Sequence, residues 1–405
     1  MTSSFRRRAP HGAALLVAAL VLSACSAPAE MQPAASASPT GHGIDGGGAG
    51  EVVSPALALV IADDRGALTL LDLDTEERSS LAPGRDDETD VFGDGRLFYR
   101  VHDDAGATSV EVFDTARWTV PHGDHTHSFR GEPRLLGAFD GEGAVRLTVG
   151  ERRSALAFEG GEVVLLAHDE LAEGLEAAPR VPVEARGPIV PFAGHLLAVT
   201  SDASIEVLDL TGAAVPGAGA SCTDASDADV TRVGTVFACA DGAALFTREV
   251  GGVIAVETLA YPADAAAAMD LSGRPDRPDL AGVAGSQGAW LLDVRQRRWT
   301  LLPSDVPLLR AAALGDDDSR TVAIDMDGRV RVLAPDGRVL VRTEPLLAAS
   351  VADPLLRDRV QLLVDARHAY VTDPATGAVH EIDHDDGRVT RTFAALEPWF
   401  IQQVG

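Results

Sequence analysis

The sequence of 405 residues contains no lysine, so its 34 basic residues are all arginines, against 61 aspartates and glutamates. The resulting net charge of −27 argues against nucleic-acid binding, because neutralising phosphate groups requires a basic surface. It also disfavours electrostatic docking to an anionic membrane face. Aromatic residues make up only 5% of the chain, and its tryptophans are too dispersed to form a sugar-binding platform.

Long apolar runs are equally scarce, and the N-terminal one at 13–22 is too short to span a bilayer. It follows an arginine run at 6–8 and ends in Leu-Ser-Ala-Cys, which resembles the lipobox of bacterial lipoproteins. We predict a lipoprotein signal peptide over 1–24, lipidation of Cys25 and a disordered tether over 25–50. The alternative is an ordinary secretory peptide that is cleaved near Ala27 or Ala29. The prediction places the protein on the outer face of the cytoplasmic membrane.

Cysteine is rare, with three in the chain. Once Cys25 is assigned to the lipid anchor, Cys222 and Cys239 remain. In an oxidising exterior these two are expected to form a disulfide, which would stabilise the fold by about 3 kcal/mol. A redox or metal-binding thiol pair is the alternative, although no Cys-x-x-Cys motif supports it.

Short apolar runs separated by turn residues fill the chain after residue 56, a pattern typical of strands. We predict strands at 58–62, 68–73, 97–101, 109–113, 196–200, 205–210, 236–240, 321–325, 330–333 and 369–372. Asp-Gly steps suit tight hairpin turns, because both residues tolerate positive φ. Such turns are predicted at 94–95, 140–141, 241–242, 327–328, 336–337 and 386–387.

A weak internal repeat indicates how these strands are arranged. A phrase of the form xVxxLDxxTG recurs at 68–75, 109–115, 205–211, 289–295 and 370–376. Each copy is typical of the middle of a propeller blade, and about eight units of about 40–45 residues fill the chain. We therefore predict an all-β fold, a single β-propeller over 51–405 with seven or eight blades, eight being favoured. Two β-sandwich domains are the alternative, but they require a linker that the sequence lacks after Gly50.

Histidines are clustered at one place, where three of the 11 in the chain fall within residues 122–127. We predict that His122, Asp124, His125 and His127 ligate a metal, because imidazole nitrogens and a carboxylate suit Zn²⁺. If the segment after Asp124 is extended, His125 and His127 project from the same face. Solvated loop histidines, or histidines bonded to backbone carbonyls at a blade edge, are the alternatives. Two scattered histidines, His102 and His384, are interpreted as exposed turn residues, the alternative being that the blades bring them to the site as further donors.

The same segment carries a resemblance to a known family. The run WTVPHGDHTHSFRGEPRLLG, from Trp118 to Gly137, resembles the signature of the AztD-type zinc chaperones, and segments 222–242 and 365–383 are also similar. Members of that family are extracytoplasmic β-propellers that pass zinc to the solute-binding protein of a zinc ABC importer. The sequence departs from the family pattern in the tether, which keeps only His42, and in the later blades, where Arg186 and Ser226 stand near positions expected for histidines.

The resemblance implies that this chain is a divergent, lipid-anchored zinc chaperone with zinc as its metal and an importer's solute-binding protein as its partner. We expect a monomer without nucleic-acid partners. No nucleophile elbow of the G-x-S-x-G type and no P-loop is present, so we predict a non-enzyme. The alternatives are a propeller scaffold of the cell envelope that binds no metal, which the missing histidines favour, and a propeller hydrolase or dehydrogenase.

Overall fold

The computed structural model describes residues 48–85, 89–104, 107–122, 125–171, 174–225, 227–262 and 266–405, without the side chains of residues 89, 104, 121 and 122. The predicted signal peptide, Cys25 and Asp124 lie outside the described residues, as does most of the predicted tether. Within the described ranges, no helix is long and apolar enough to cross a membrane.

Strands dominate the described residues, as the short apolar runs predict. The first ten are β1 (Gly50–Val52), β2 (Ala58–Ala62), β3 (Leu68–Asp72), β4 (Arg78–Ala82), β5 (Thr89–Gly93), β6 (Leu97–Asp104), β7 (Ala107–Asp114), β8 (Arg117–His122), β9 (His125–Arg130) and β10 (Arg134–Glu142). The next twelve are β11 (Val145–Val149), β12 (Arg153–Phe158), β13 (Glu162–Ala167), β14 (Arg180–Pro182), β15 (Ile189–Phe192), β16 (His195–Ser201), β17 (Ser204–Leu208), β18 (Ala214–Ser221), β19 (Asp227–Val230), β20 (Thr235–Cys239), β21 (Gly242–Arg248) and β22 (Ile254–Ala260).

The remaining strands follow at similar spacing to the end of the chain. They are β23 (Met269–Ser272), β24 (Asp279–Val283), β25 (Gly288–Asp293), β26 (Arg298–Pro303), β27 (Leu308–Ala313), β28 (Thr321–Asp325), β29 (Val330–Leu333), β30 (Val339–Arg342), β31 (Leu362–Val364), β32 (His368–Asp373), β33 (Ala378–Asp383), β34 (Val389–Phe393) and β35 (Phe400–Val404). Two short helices, α1 (Ala348–Ala352) and α2 (Pro354–Arg357), and two 3-10 turns, Leu175–Ala177 and Gly285–Gln287, complete the described elements.

The described strands form eight four-stranded antiparallel sheets, which are the blades of a β-propeller. In chain order, blades 1 to 8 are β35-β2-β3-β4, β5-β6-β7-β10, β11-β12-β13-β14, β15-β16-β17-β18, β19-β20-β21-β22, β23-β24-β25-β26, β27-β28-β29-β30 and β31-β32-β33-β34. The prediction of an all-β propeller is thus confirmed, with the favoured number of blades. Blade 1 takes its first strand from the C-terminal end, since Gln402 pairs with Val60.

Apolar side chains fill the interfaces between consecutive blades, so the middle strands are buried on both faces. Every residue of β2 is buried, for example. Leu59 and Ile61 of blade 1 pack with Tyr370 and Val379 of blade 8. Because the last blade packs on the first, the described blades close into a ring.

One predicted hairpin turn is wrong. Asp140 and Gly141 lie inside β10 rather than between two strands, whereas the other Asp-Gly steps lie where one strand gives way to the next. The reason is a contact between blades, since a Cβ on residue 141 would lie 2.1 Å from the ring of Phe158. Glycine is required here for close packing and not for a turn.

A buried carboxylate joins blades 2 and 3. Asp94, in the turn after β5, accepts hydrogen bonds from the Tyr99 hydroxyl at 2.7 Å and the Ser154 hydroxyl at 2.6 Å, and lies 3.3 Å from Nε2 of His168. Burial alone would raise the pKa of Asp94, but His168 and Ser154 lower it to about 2. The junction therefore contains an ionised, fully hydrogen-bonded carboxylate.

Two more features bear on the predictions from sequence. Cys222 and Cys239 form a disulfide with a Cα–Cα distance of 5.2 Å, which ties the end of blade 4 to blade 5. The interpretation of His102 and His384 as exposed residues is wrong, because both are buried. Nε2 of His102 lies 2.8 Å from Glu111 on the adjacent strand β7, so this histidine belongs to the interior of blade 2.

Candidate metal centre

The histidine cluster lies on a small sheet that is inserted into blade 2. Strands β8 and β9 form a hairpin between the third and fourth strands of that blade, and β1 pairs with β9 to give the order β1-β9-β8. The two ends of the insertion meet, since the backbone N–H of Gly131 donates to the carbonyl of Ala116 at 2.8 Å. We call this three-stranded unit the inserted sheet.

An aromatic stack anchors one face of the inserted sheet. The rings of Trp118 and Phe129, which pair across β8 and β9, are stacked with centroids 5.1 Å apart. The guanidinium of Arg96 lies 3.6 Å from the centroid of the Trp118 ring. Asp114 holds that guanidinium through two hydrogen bonds of 3.0 and 2.8 Å. Blade 2 therefore fixes the orientation of the inserted sheet through a cation–π contact.

Arginines anchor the opposite face to blade 1. Arg117 and Arg130 are paired across the hairpin, and each reaches Oδ2 of Asp72, at 2.8 and 3.1 Å. Burial raises the pKa of Asp72, but hydrogen bonds from Thr75 and Arg117, together with the arginine charge, lower it to about 2. Asp72 therefore stays ionised and holds the base of the hairpin against the ring.

The predicted pair of imidazoles meets on the first of these faces. His125 and His127 alternate along β9, as the period of two predicts, and their Nε2 atoms are 3.1 Å apart. The ring centroids lie 4.8 Å apart in an edge-on arrangement. His125 is exposed whereas His127 is buried. The arrangement thus has an inner imidazole and an outer one that solvent can reach.

The strand before the propeller supplies a third group. Glu51 on β1 pairs with Phe129, and its Oε1 atom lies 2.6 Å from Nδ1 of His127. Sequence reasoning missed Glu51, because 76 positions separate it from His127 and no local motif marks it. Only the pairing of β1 with β9 brings it to the cluster.

The other two predicted ligands are defined less fully. The register pairs His122 with His125 across the hairpin, and the side chain of His122 lies outside the described residues, as does Asp124. Among the residues whose side chains are described, no three histidine, cysteine or acidic groups form a metal-ligand set. The described residues therefore comprise two converging nitrogens with a carboxylate behind one of them, which are donor types that suit a transition metal.

A separate cavity of about 540 Å³ lies among the first strands of blades 1 and 5 to 8, away from the histidines. Its lining includes Asp227, Asp270 and Arg310. Burial raises the pKa of Asp227, and burial with the neighbouring charge of Asp227 raises that of Asp229 to about 7. Burial thus disfavours the charged forms of Asp227 and Asp229, whereas Asp72 and Asp94 have lowered pKa values.

Sequence comparison leaves the relationships of the chain open, because no family model matches it and no curated protein gives a significant match. Comparison of structures is more informative. The crystal structure of AztD from Citrobacter koseri aligns with a TM-score of 0.71, covering 87% of this chain and 98% of that chain at 18% identity. The chain has the fold of AztD. The structure of apo AztD from the same organism gives the same TM-score at 17% identity, covering 86% of this chain and 98% of that one.

The structural similarity to AztD confirms the fold that the sequence resemblance of the segment from Trp118 to Gly137 implies. At 18% and 17% identity, what the chain shares with AztD is the fold. Function does not follow from a fold shared at this identity, so it has to be argued from the site.

Proposed function

We propose that this protein is an extracytoplasmic zinc-binding protein that carries zinc as cargo on the inserted sheet. The observation that carries the proposal is the approach of Nε2 of His125 to Nε2 of His127, at 3.1 Å. With Zn–N bonds of about 2.05 Å and a tetrahedral angle, two nitrogen ligands of one zinc ion lie about 3.3 Å apart. The pair thus needs little adjustment to hold the ion.

The remaining ligands in this proposal are His122 and Asp124. His122 is paired with His125 in the register of β8 and β9. Asp124 lies two positions after His122 in the sequence. Three imidazoles and one carboxylate would complete a four-ligand zinc site. Because His125 is exposed, such a site would stay open to ligands from another protein.

A zinc site that is open to solvent suits delivery of the ion better than its storage. His125 is exposed, so an incoming ligand would reach the zinc ion at this side while His127 still holds it, and transfer would proceed by ligand exchange. We propose the solute-binding protein of a zinc ABC importer as the receiver, in line with the family resemblance. The net charge of −27 would raise the local concentration of cations. A lipid anchor on Cys25 would keep a monomeric, non-enzymatic carrier at the membrane near its importer.

Zinc titration against a chromogenic chelator tests the proposal on the full chain in detergent. We expect one zinc ion with submicromolar affinity for the wild type, and loss of at least about tenfold in affinity for His125→Ala and His127→Ala, since each removes one ligand. Thr126→Ala is the matched control, because Thr126 is exposed between the two histidines. Absence of zinc binding in the wild type would end the proposal. Failure of a loaded chain to pass zinc to the solute-binding protein would remove delivery while leaving binding intact.

A non-metal scaffold of the cell envelope is the second candidate. It is favoured by Arg186 and Ser226, which stand near positions where the family resemblance implies histidines. The titration separates the two candidates, because a non-metal scaffold would bind no zinc even as the wild type.

A further inference from the structure

We infer that Glu51 is a positioning residue for His127 and that docking of β1 on the inserted sheet is coupled to metal binding by the histidine pair. This inference rests on the proposed function and extends it to a strand outside the histidine cluster. Glu51 is on the edge strand of the inserted sheet, and its side chain is partly exposed at 34%.

The pairing register explains why Glu51 reaches His127. Glu51 is directly opposite Phe129 in the antiparallel pair, and His127 is two residues from Phe129 on the same face of β9. Diagonal neighbours of this kind lie within reach of long side chains. The resulting distance of 2.6 Å between Oε1 and Nδ1 is that of a short, charge-assisted hydrogen bond.

This bond determines where His127 carries its proton. An ionised carboxylate can only accept hydrogen bonds, so Nδ1 of His127 has to donate to Glu51. In the neutral ring the lone pair is then on Nε2, the atom that faces Nε2 of His125 at 3.1 Å. His125 donates into this lone pair when no metal is bound. A metal ion that enters between the rings finds the lone pair of His127 already directed toward it.

The same bond links metal binding to the docking of β1. A carboxylate on the far nitrogen of a ligating imidazole fixes its tautomer and increases its basicity. A cation on Nε2 in turn makes the Nδ1–H a stronger donor to Glu51. Because coupling between two binding events is reciprocal, metal binding should hold β1 more firmly, and a docked β1 should raise affinity for the metal.

The strand is suited to such coupling because its attachment is small. β1 pairs with β9 through Gly50, Glu51 and Val52 only, and the next residues, Val53 and Ser54, are exposed. A strand with three residue pairs opens easily. The bond from His127 to Glu51, which a bound cation would strengthen, is therefore a large part of what holds the strand.

The experiment compares the full-length wild type with Glu51→Ala, and uses Glu132→Ala as the matched control. Glu132 is an exposed acid just after β9, so its replacement removes the same charge near the inserted sheet. Long-range ¹⁵N–¹H NMR spectra of the metal-free protein report the tautomer of His127. We expect the Nδ1–H form in the wild type and the control, and a mixture of tautomers in Glu51→Ala. Glu51→Gln keeps an accepting oxygen and should largely retain the wild-type tautomer.

Two further measurements test the coupling. Zinc affinity should fall about tenfold to a hundredfold in Glu51→Ala, and added zinc should slow amide hydrogen exchange of residues 50–52 in the wild type but not in this variant. An unchanged tautomer and a zinc affinity within twofold of wild type would overturn the inference and leave the proposed function standing. A wild type that binds no zinc would overturn the coupling together with the proposed function.

Discussion

Histidines occupy two contrasting settings in this protein. In the ring, His168 binds Asp94 and Ser154 at the junction of blades 2 and 3, and His102 binds Glu111 inside blade 2. In the inserted sheet, His125 and His127 face each other, and only the inner ring has Glu51 behind it. A histidine that bonds to carboxylates in a closed junction stabilises packing. Two imidazoles that face each other on the inserted sheet, the outer one exposed, are in our proposal suited to bind a ligand.

The largest expected effect comes from breaking a ring junction. Asp94→Ala removes a carboxylate that binds Tyr99, Ser154 and His168, and it leaves buried polar partners unsatisfied. We expect the free energy of unfolding to fall by at least about 3 kcal/mol. Denaturant unfolding measures this loss. The turn acid Asp209, which accepts hydrogen bonds from the nearby Thr211 and Ala213, is the control, and its replacement by alanine should cost clearly less. An equal cost for both variants would contradict a special role for the junction.

Weakening the inserted sheet should change its local opening and zinc binding, while the global stability of the ring changes little. Trp118→Ala removes the ring between Arg96 and Phe129, so β8 and β9 should open more often, at a local cost of about 2 kcal/mol. Amide exchange in β8 and β9 should accelerate and zinc affinity should fall, while global unfolding stays within about 1 kcal/mol of wild type. Leu135→Ala, at an exposed site just beyond the hairpin, is the control. Loss of ring stability equal to that of Asp94→Ala would show that the two regions are not separable.

The smallest expected effect is a pH-dependent change in stability, which distinguishes Asp229 from Asp94 within the ring. The pKa of Asp229 is raised to about 7, so the folded state binds its proton more tightly than the unfolded state. Its contribution to stability is therefore present at low pH and is lost as pH rises from roughly 4 to 7. Asp229→Asn should stabilise the protein by about 1–2 kcal/mol at pH 8, where it relieves the buried charge, and much less at pH 4. Denaturant unfolding at the two pH values measures this difference, with Asp202→Asn at an exposed turn as control. A stabilisation independent of pH would refute the assignment.

The pH dependence of stability that Asp94 contributes has the opposite sign to that of Asp229, since the pKa of Asp94 is lowered to about 2. The contribution of this carboxylate is present above its unfolded pKa and is lost as pH falls from roughly 4 toward 2. The same fold thus contains one carboxylate that stabilises it at neutral pH and one that destabilises it there.

The sequence predicts the ring well because short strands and their turns are local features. The predicted strands at 58–62, 321–325 and 330–333 coincide with β2, β28 and β29. Predictions from local sequence fail where contacts with another strand or another blade determine the structure. The Asp-Gly preference for turns is overridden at Gly141 by the Phe158 ring, and His102 is buried although its acidic neighbours suggest an exposed turn.

The site is predictable only where it is local. The period of two along β9 correctly predicts that His125 and His127 share a face. Glu51 is not predictable in this way, because strand pairing between distant segments brings it to His127. The roles of His122 and Asp124 stay predictions.

The way the inserted sheet leaves and re-enters blade 2 has an evolutionary consequence. Ala116 and Gly131 are joined by a backbone hydrogen bond of 2.8 Å, so the intervening hairpin leaves and returns at one point of the scaffold. A single insertion or deletion of this segment would leave the succession of blades intact. Lineages could therefore acquire, exchange or discard the hairpin as a module, and the eight-bladed architecture would persist in descendants whose ligand chemistry had changed.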